Sequence, residues 1–314
     1  MTDRLLNILV TITLIEMMVA IGLGVTFGEL AAVARDRWLV ARAVLANYVC
    51  VPAATVGLLL LFNAHALVAA GFLILAVCPG APYGPPFSAI AKGNVPVAVG
   101  LMVLLAGSSA LIAPILLHYL LPLVSGNASL PVPAFNILVT LLVTQLLPLS
   151  VGVAVRQWCP TLAERLRKPA NLASKVLNLA AVGFILATQF HLLAEIRPTG
   201  FVGMLALLVA CWAAGWLLGG PGTDIRKAMT LTTSLRNVGV GLVIATGAFA
   251  GTPAVAAVLV YGLFEVVGSL LLALGWAWWE SPRARLAGMA IVQDSVRHPS
   301  AKGLVKSEEA PDDA

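Results

Sequence analysis

A chain of 314 residues that is 60% hydrophobic and 11% charged, with a mean hydropathy of +0.97, falls outside the soluble globular class, where about a quarter of residues carry charge. The net charge of +5 does not point to nucleic acid, because the basic residues lie between long apolar stretches and form no patch of their own. The four cysteines, Cys50, Cys78, Cys159 and Cys211, are scattered without a C-x-x-C pair, so neither a disulfide frame nor a zinc site is expected.

At about 20 residues per crossing, the chain reads as an all-α membrane protein of nine transmembrane helices. They span residues 5–27, 39–62, 66–91, 95–121, 134–155, 170–194, 200–219, 227–250 and 254–278. The first run, Leu5 to Phe27, is too long for a signal-peptide core, and no cleavage site follows it, so it is expected to stay as a helix. Residues 1–281 then form one polytopic unit. Residues 282–314 form a cytoplasmic tail expected to be disordered, basic first and acidic at Glu308, Glu309, Asp312 and Asp313.

Charge fixes the orientation. With the N-terminus outside and the C-terminus inside, fourteen Lys and Arg residues fall inside and only Arg4 and Arg197 outside, as the positive-inside bias requires. One helix more or fewer in the middle would scramble that split. Arg42 and Lys175 lie within a turn or two of an inner helix end, close enough for the charge to snorkel to the interface. Asn127-Ala128-Ser129, on an outer loop, is a glycosylation sequon, with no sign of a glycosylating host.

The third helix is interrupted. Cys78-Pro79-Gly80-Ala81-Pro82-Tyr83-Gly84-Pro85-Pro86 cannot continue an α-helix, because each proline lacks an N–H and crowds the turn before it. Lipid cannot satisfy the peptide groups that such a break frees, so the break must face protein or a watery cavity. The eighth helix is interrupted as well, at Thr230-Leu231-Thr232-Thr233-Ser234-Leu235-Arg236-Asn237-Val238-Gly239-Val240-Gly241. Small and hydroxyl residues alone suit helix packing. An arginine at mid-bilayer, costing roughly 2.5–3.5 kcal/mol, does not. The two interrupted helices are five apart and so cross in opposite directions, which suggests an inverted repeat with a shared midplane site. Half-helix N-termini there would favour an anion. Glu265, mid-span in the ninth helix, and Glu16, in the first, are candidates either to pair with Arg236 or to take up and release a proton.

At these residues the chain resembles the bile acid:sodium symporter superfamily, in the manner of a bacterial sodium-dependent bile-acid-transporter-like protein. That family carries a C-P-G-G-x-x-S-N break in one crossing helix and an E-x-x-x-Q-N-x-G break in the other. Ala91-Lys92-Gly93-Asn94 is close to its A-[KR]-G-[DN]. Ile21-Gly22-Leu23-Gly24 and Gly268-Ser269-Leu270-Leu271 are similar to its G-M-G-L and G-S-L-L. The order holds over roughly residues 15–275. The resemblance implies a panel domain, a core domain holding the crossed helices, and alternating-access transport in a multi-pass protein of a bacterial inner membrane.

The sodium ligands that the resemblance would supply do not carry over. The Glu and Gln of the second break are here Thr232 and Arg236, and the Ser and Asn of the first are Gly84 and Pro85. Hydroxyl ligands on the following helix fall at about Ala98 and Met102, and a Gln on the second helix becomes Asn47. Hard cations need several oxygen ligands, which argues against sodium coupling and lets Arg236 stand in the ion's place.

The expected function is therefore transport of a small organic anion by uniport, exchange or proton linkage. The candidate substrate groups are Arg236, Asn237, Thr233, Ser234, Tyr83, Asn47 and the freed amides near Gly80 and Gly84. No metal or cofactor is expected, and the partners are the anion and the lipid bilayer. A sodium-coupled symporter of bile-acid-like or other anions is the alternative. A membrane sensor or channel would need an attached soluble domain or a continuous polar pore stripe, and neither is visible. An enzyme is not expected: there is no H-E-x-x-H or G-x-S-x-G, and His118 and His191 lie near outer helix ends.

Overall fold

A computed structural model describes residues 2–126, 130, 133–194 and 198–297, and each of the nine apolar stretches is helical in it. The sequon at 127–129, Arg197 and the chain beyond Arg297 lie outside the described residues, as does the side chain of His191. In chain order the helices are α1 (Thr2–Leu23), α2 (Phe27–Arg35), α3 (Arg37–Leu45), α4 (Val51–Leu61), α5 (Ala66–Ala76), α6 (Gly84–Ile90) and α7 (Val95–Ser125). They continue as α8 (Ala134–Leu141), α9 (Leu147–Trp158), α10 (Pro160–Ala194), α11 (Pro198–Leu218), α12 (Thr223–Ser234), α13 (Val238–Ala248) and α14 (Pro253–Arg297).

Among the described residues, six continuous helical stretches are long and apolar enough to cross a membrane: Arg4–Leu23, Arg37–Leu61, Val95–Ser125, Ala134–Trp158, Thr199–Leu218 and Pro253–Trp279. Two further apolar stretches are each split, into α5 with α6 and α12 with α13. The stretch expected at 170–194 belongs to α10, which begins ten residues earlier at Pro160 and carries Glu164, Arg165, Arg167 and Lys168 in its first turns.

Two of the continuous stretches contain a widened turn. Pro52 and Pro148 have no N–H to give the preceding turn, and the helix relaxes into π-helical turns over Ala46–Cys50 and Leu142–Leu146. Each such turn holds a fully buried amide, Asn47 in one and Gln145 in the other. Between α1 and α3, where a loop is expected, α2 is set by a reciprocal cap. The Glu29 N–H donates to Thr26 Oγ1 at 3.2 Å, and the Thr26 N–H donates to the Glu29 carboxylate at 2.8 Å. At the other end of the chain α14 does not stop near residue 278: its backbone stays helical to Arg297.

Helix α1 packs against α9, α10 and α13, while α5 packs against α14 and α7, and α12 against α11 and α7. Glycine sets the closest of these seams. A Cβ on Gly22 would lie 2.8 Å from Gly152 Cα, so the main chains of α1 and α9 touch.

Candidate functional site

The two interruptions meet. Helix α5 ends at Ala76, and α6 restarts at Gly84 with Pro85 and Pro86 in its first turn, where a missing N–H breaks no helical bond. Helix α12 continues through the Thr/Ser run to Ser234, the chain is extended at Leu235, and Asn237 caps α13 by accepting the Val240 N–H at 3.2 Å. Between them Pro79 and Arg236 form an antiparallel β-bridge. The Asn237 N–H donates to Cys78 O at 2.7 Å, and its Nδ2 donates to Gly80 O at 3.3 Å. Gly80 has φ +90° and lies directly on the backbone of Ala106 in α7, where a Cβ would collide. The freed peptide groups are thus largely paired with each other across the crossing, the requirement that a dry interior imposes.

Arg236 is 1% exposed and heads the largest fully buried side chains. Its Nη1 donates to Ala76 O at 3.3 Å, while Nε and Nη2 have no nitrogen or oxygen partner among the described residues. Glu265 does not pair with the guanidinium. Its Oε1 accepts the backbone N–H of Arg236 at 2.6 Å, and Oε2 has no hydrogen-bond partner. The one ion pair among the described residues is Arg156 with Glu164, at 2.9 Å on the surface. Cys211 sits beside the guanidinium and Tyr261, and Tyr48 and Cys78 lie within electrostatic reach of the same charge. Glu16 is elsewhere, accepting a hydrogen bond from Ser174 on α10.

The hydroxyls of the second break hold it in place. Thr232 Oγ1 donates to Ala228 O at 2.7 Å, and Gly84 lies against that side chain, with room for a Cβ 3.6 Å from the hydroxyl. Asn47 Nδ2 donates to Ala43 O at 2.9 Å and to Thr233 Oγ1 at 3.3 Å, leaving its Oδ1 unpaired. Ser234 and Ser269 share a hydrogen bond of 3.0 Å, tying α12 to α14. The expected amide at Gly84 is not free: its N–H donates to Ala81 O at 3.3 Å, and Pro85 and Pro86 have none. Tyr83 is 39% exposed, with its ring against Phe87. Of the remaining positions implied for a cation, Ala98 and Met102 are buried on α7 and Pro85 on α6, none with a side-chain oxygen.

Several polar residues at this level were not anticipated. Gln145 donates from Nε2 to Ala106 O and to Ser109 Oγ, beneath the point where Gly80 touches Ala106. Tyr48 Oη donates to Leu105 O at 3.0 Å and lies 2.7 Å from Ser108 Oγ. A lone glutamine in an apolar span, like Asn47 in its own, was the available signal for the first. Near the start of α1, a cavity of about 210 Å³ between α1, α8 and α13 is lined by Asn7, Thr11, Asn136 and Thr140, and Asn7 Nδ2 donates to Thr246 Oγ1 at 3.1 Å.

Residues 11–215 match the model of the Sodium Bile acid symporter family. The chain is 24% identical over 271 residues to the probable sodium/metabolite cotransporter BASS2, chloroplastic, of Oryza sativa subsp. japonica. That alignment covers 85% of this chain and 64% of the relative, so the chain spans a little under two thirds of that protein's length. It is 23% identical over 269 residues to the uncharacterized sodium-dependent transporter YocS of Bacillus subtilis (strain 168), covering 83% of this chain and 81% of the relative.

Proposed function

Since the chain belongs to the sodium bile acid symporter family and is an integral membrane protein, we propose that it is a secondary transporter that carries a small organic anion by alternating access without sodium as the coupling ion. The observation that carries this reading is the buried Arg236 guanidinium at the crossing, with Nε and Nη2 unpaired. A fixed cation there does permanently what a bound ion would do transiently: it balances the carbonyls of Ala76 and its neighbours and draws an anion toward the crossing. The α13 N-terminus, capped by Asn237, adds its dipole to that attraction. Asn237, Thr233, Ser234, Asn47, Gly80 and Tyr83 complete the proposed substrate groups. Gly84 and Thr232 then pack α6 against α12 rather than hold an ion.

The chain crosses the membrane nine times in this reading, N-terminus out and C-terminus in. Six of the seven tryptophans, Trp38, Trp158, Trp216, Trp276, Trp278 and Trp279, then fall at inner helix ends, where an interfacial belt belongs. Helices α1, α9 and α10 form the panel, and the crossed elements with α7, α11 and α14 form the core. The Asn7–Thr246 bond and the cavity beside it lie on the outer side of the crevice between them. Glu265, with one oxygen holding the Arg236 N–H and the other unpaired, is the candidate proton carrier. Glu16, bonded to Ser174 inside the panel, is the second candidate.

A second reading, sodium-coupled symport, is favoured by the names of the two relatives. Uptake into proteoliposomes separates them, using an anion first found by thermal-shift screening. Uptake is expected to be unchanged when sodium is replaced on both sides, and Arg236→Gln is expected to lose both the ligand's thermal shift and uptake. Uptake that collapses without a sodium gradient would reject the proposed coupling.

A further inference from the structure

Away from the crossing, two arginines converge on one glycine with no acidic partner among the described residues. Arg226, in the first turn of α12, donates from Nε to Gly220 O at 2.5 Å. Arg42, on α3, lies over the same residue: a Cβ on Gly220 would stand 2.9 Å from its Nη1 and 3.1 Å from its Nη2. Arg42 Nε donates to Trp38 O at 3.1 Å, one turn back in its own helix. Both side chains are partly exposed. Like charges brought together repel unless an anion lies between them. No carboxylate fills that role among the described residues, where Arg156–Glu164 is the one ion pair. Asp224, close in sequence, is turned to Asn94 Nδ2 at 2.9 Å.

The surroundings specify the anion. The guanidinium of Arg226 stands 5.7 Å from the Trp216 ring centroid, and Trp216 stacks on Trp276 at 5.6 Å. Indoles at the end of apolar helices mark the headgroup level of a bilayer, and paired guanidinium forks match phosphate oxygens. We infer that Arg42 and Arg226, with the Trp216–Trp276 pair, form a binding site for the phosphodiester of an anionic phospholipid. The leaflet is the inner one, an assignment that rests on the orientation proposed above; the site itself does not depend on the transport reading. The arginines take the phosphate oxygens and the stacked indoles flank the glycerol end of the chains. A free phosphate would use the arginines but have no need of the indole pair.

The test is native mass spectrometry of the full chain released from nanodiscs of phosphatidylcholine with or without phosphatidylglycerol. Phosphatidylglycerol is expected to stay bound while phosphatidylcholine does not. Arg42→Gln and Arg226→Gln are each expected to lower its retention about fivefold, the effect of one basic residue at an anionic surface. Arg35→Gln, a basic residue away from Gly220, is expected to leave it unchanged. Arg42→Gln makes no demand on the Arg226–Gly220 bond, so it keeps the test decisive should Arg226→Gln fail to fold. Equal retention of the two lipids, equal loss in Arg35→Gln, or displacement by millimolar inorganic phosphate would each overturn the lipid site.

Discussion

Arg236 is held at its backbone by a carboxylate and at its side chain by a carbonyl, an arrangement that fixes where the charge sits without cancelling it by contact. Neutralising by contact would have made the residue a structural pair. Holding Glu265 on the main chain instead leaves the guanidinium two donors for something else. At the start of α12 a single carboxylate does a simpler task. Asp224 accepts from Asn94 Nδ2, while the Asp224 carbonyl accepts the Asn94 N–H at 3.0 Å, clamping the start of α7 to the start of α12. The Asn94 hydrogen bond lowers the Asp224 pKa below its usual 3.8. A depressed carboxylate gives stability that is full above the unfolded-state pKa and disappears as pH falls through the lower folded value. Unfolding in detergent is therefore expected to show a loss of stability on acidification below about pH 4 that Asp224→Asn lacks, read as Tm against pH. Parallel curves for the two proteins would rule the clamp out.

At the level of elements, Gly80 is the point at which α5, α6, α7 and the second break are all fixed to one another. Its φ of +90° and its contact with the Ala106 backbone leave no place for a methyl group. Gly80→Ala is expected to destabilise by about 1–3 kcal/mol or more through strain and displacement, seen as a lower Tm with the helix content retained. An unchanged Tm would mean that the crossing is looser than drawn. Both breaks were legible because proline and a mid-span arginine contradict a membrane helix locally. Their limits were not: hydroxyls at 230–234 can bond back to their own helix, as Thr232 and Ser234 do, so the true gap shrinks to Leu235–Asn237. The π-helical turns escaped notice because a proline early in a helix segment reads as tolerated whether the turn before it widens or not. Where a loop is expected before α3, the T-x-x-E cap at Thr26 and Glu29 starts a helix, α2. Partners across space, such as Gln145 with Ala106, need tertiary contact and leave no local trace.

For the whole molecule, the orientation rests on charge and on indole placement, and it has a direct check. Cys159 is exposed at the end of α9, while Cys78 and Cys211 are buried. A membrane-impermeant thiol reagent is expected to label Cys159 from the cytoplasmic side only, in inverted but not right-side-out vesicles, after Cys50→Ser removes the other accessible thiol. Labelling from the outer side would reverse the proposed topology. Family membership fixes the membrane placement; the proposed transport of an anion rests on the buried guanidinium of Arg236.

The glycine seam between α1 and α9 has a mechanical corollary. Two helices whose main chains touch at Gly22 and Gly152 have no slack to slide or splay there, so in the proposed rocking the pair would move as one stiff rod. Any rocking must be borne at soft, hydrogen-bonded joints such as Asn7 to Thr246. A covalent staple across the seam would therefore go unfelt, whereas one across that joint would jam the machine.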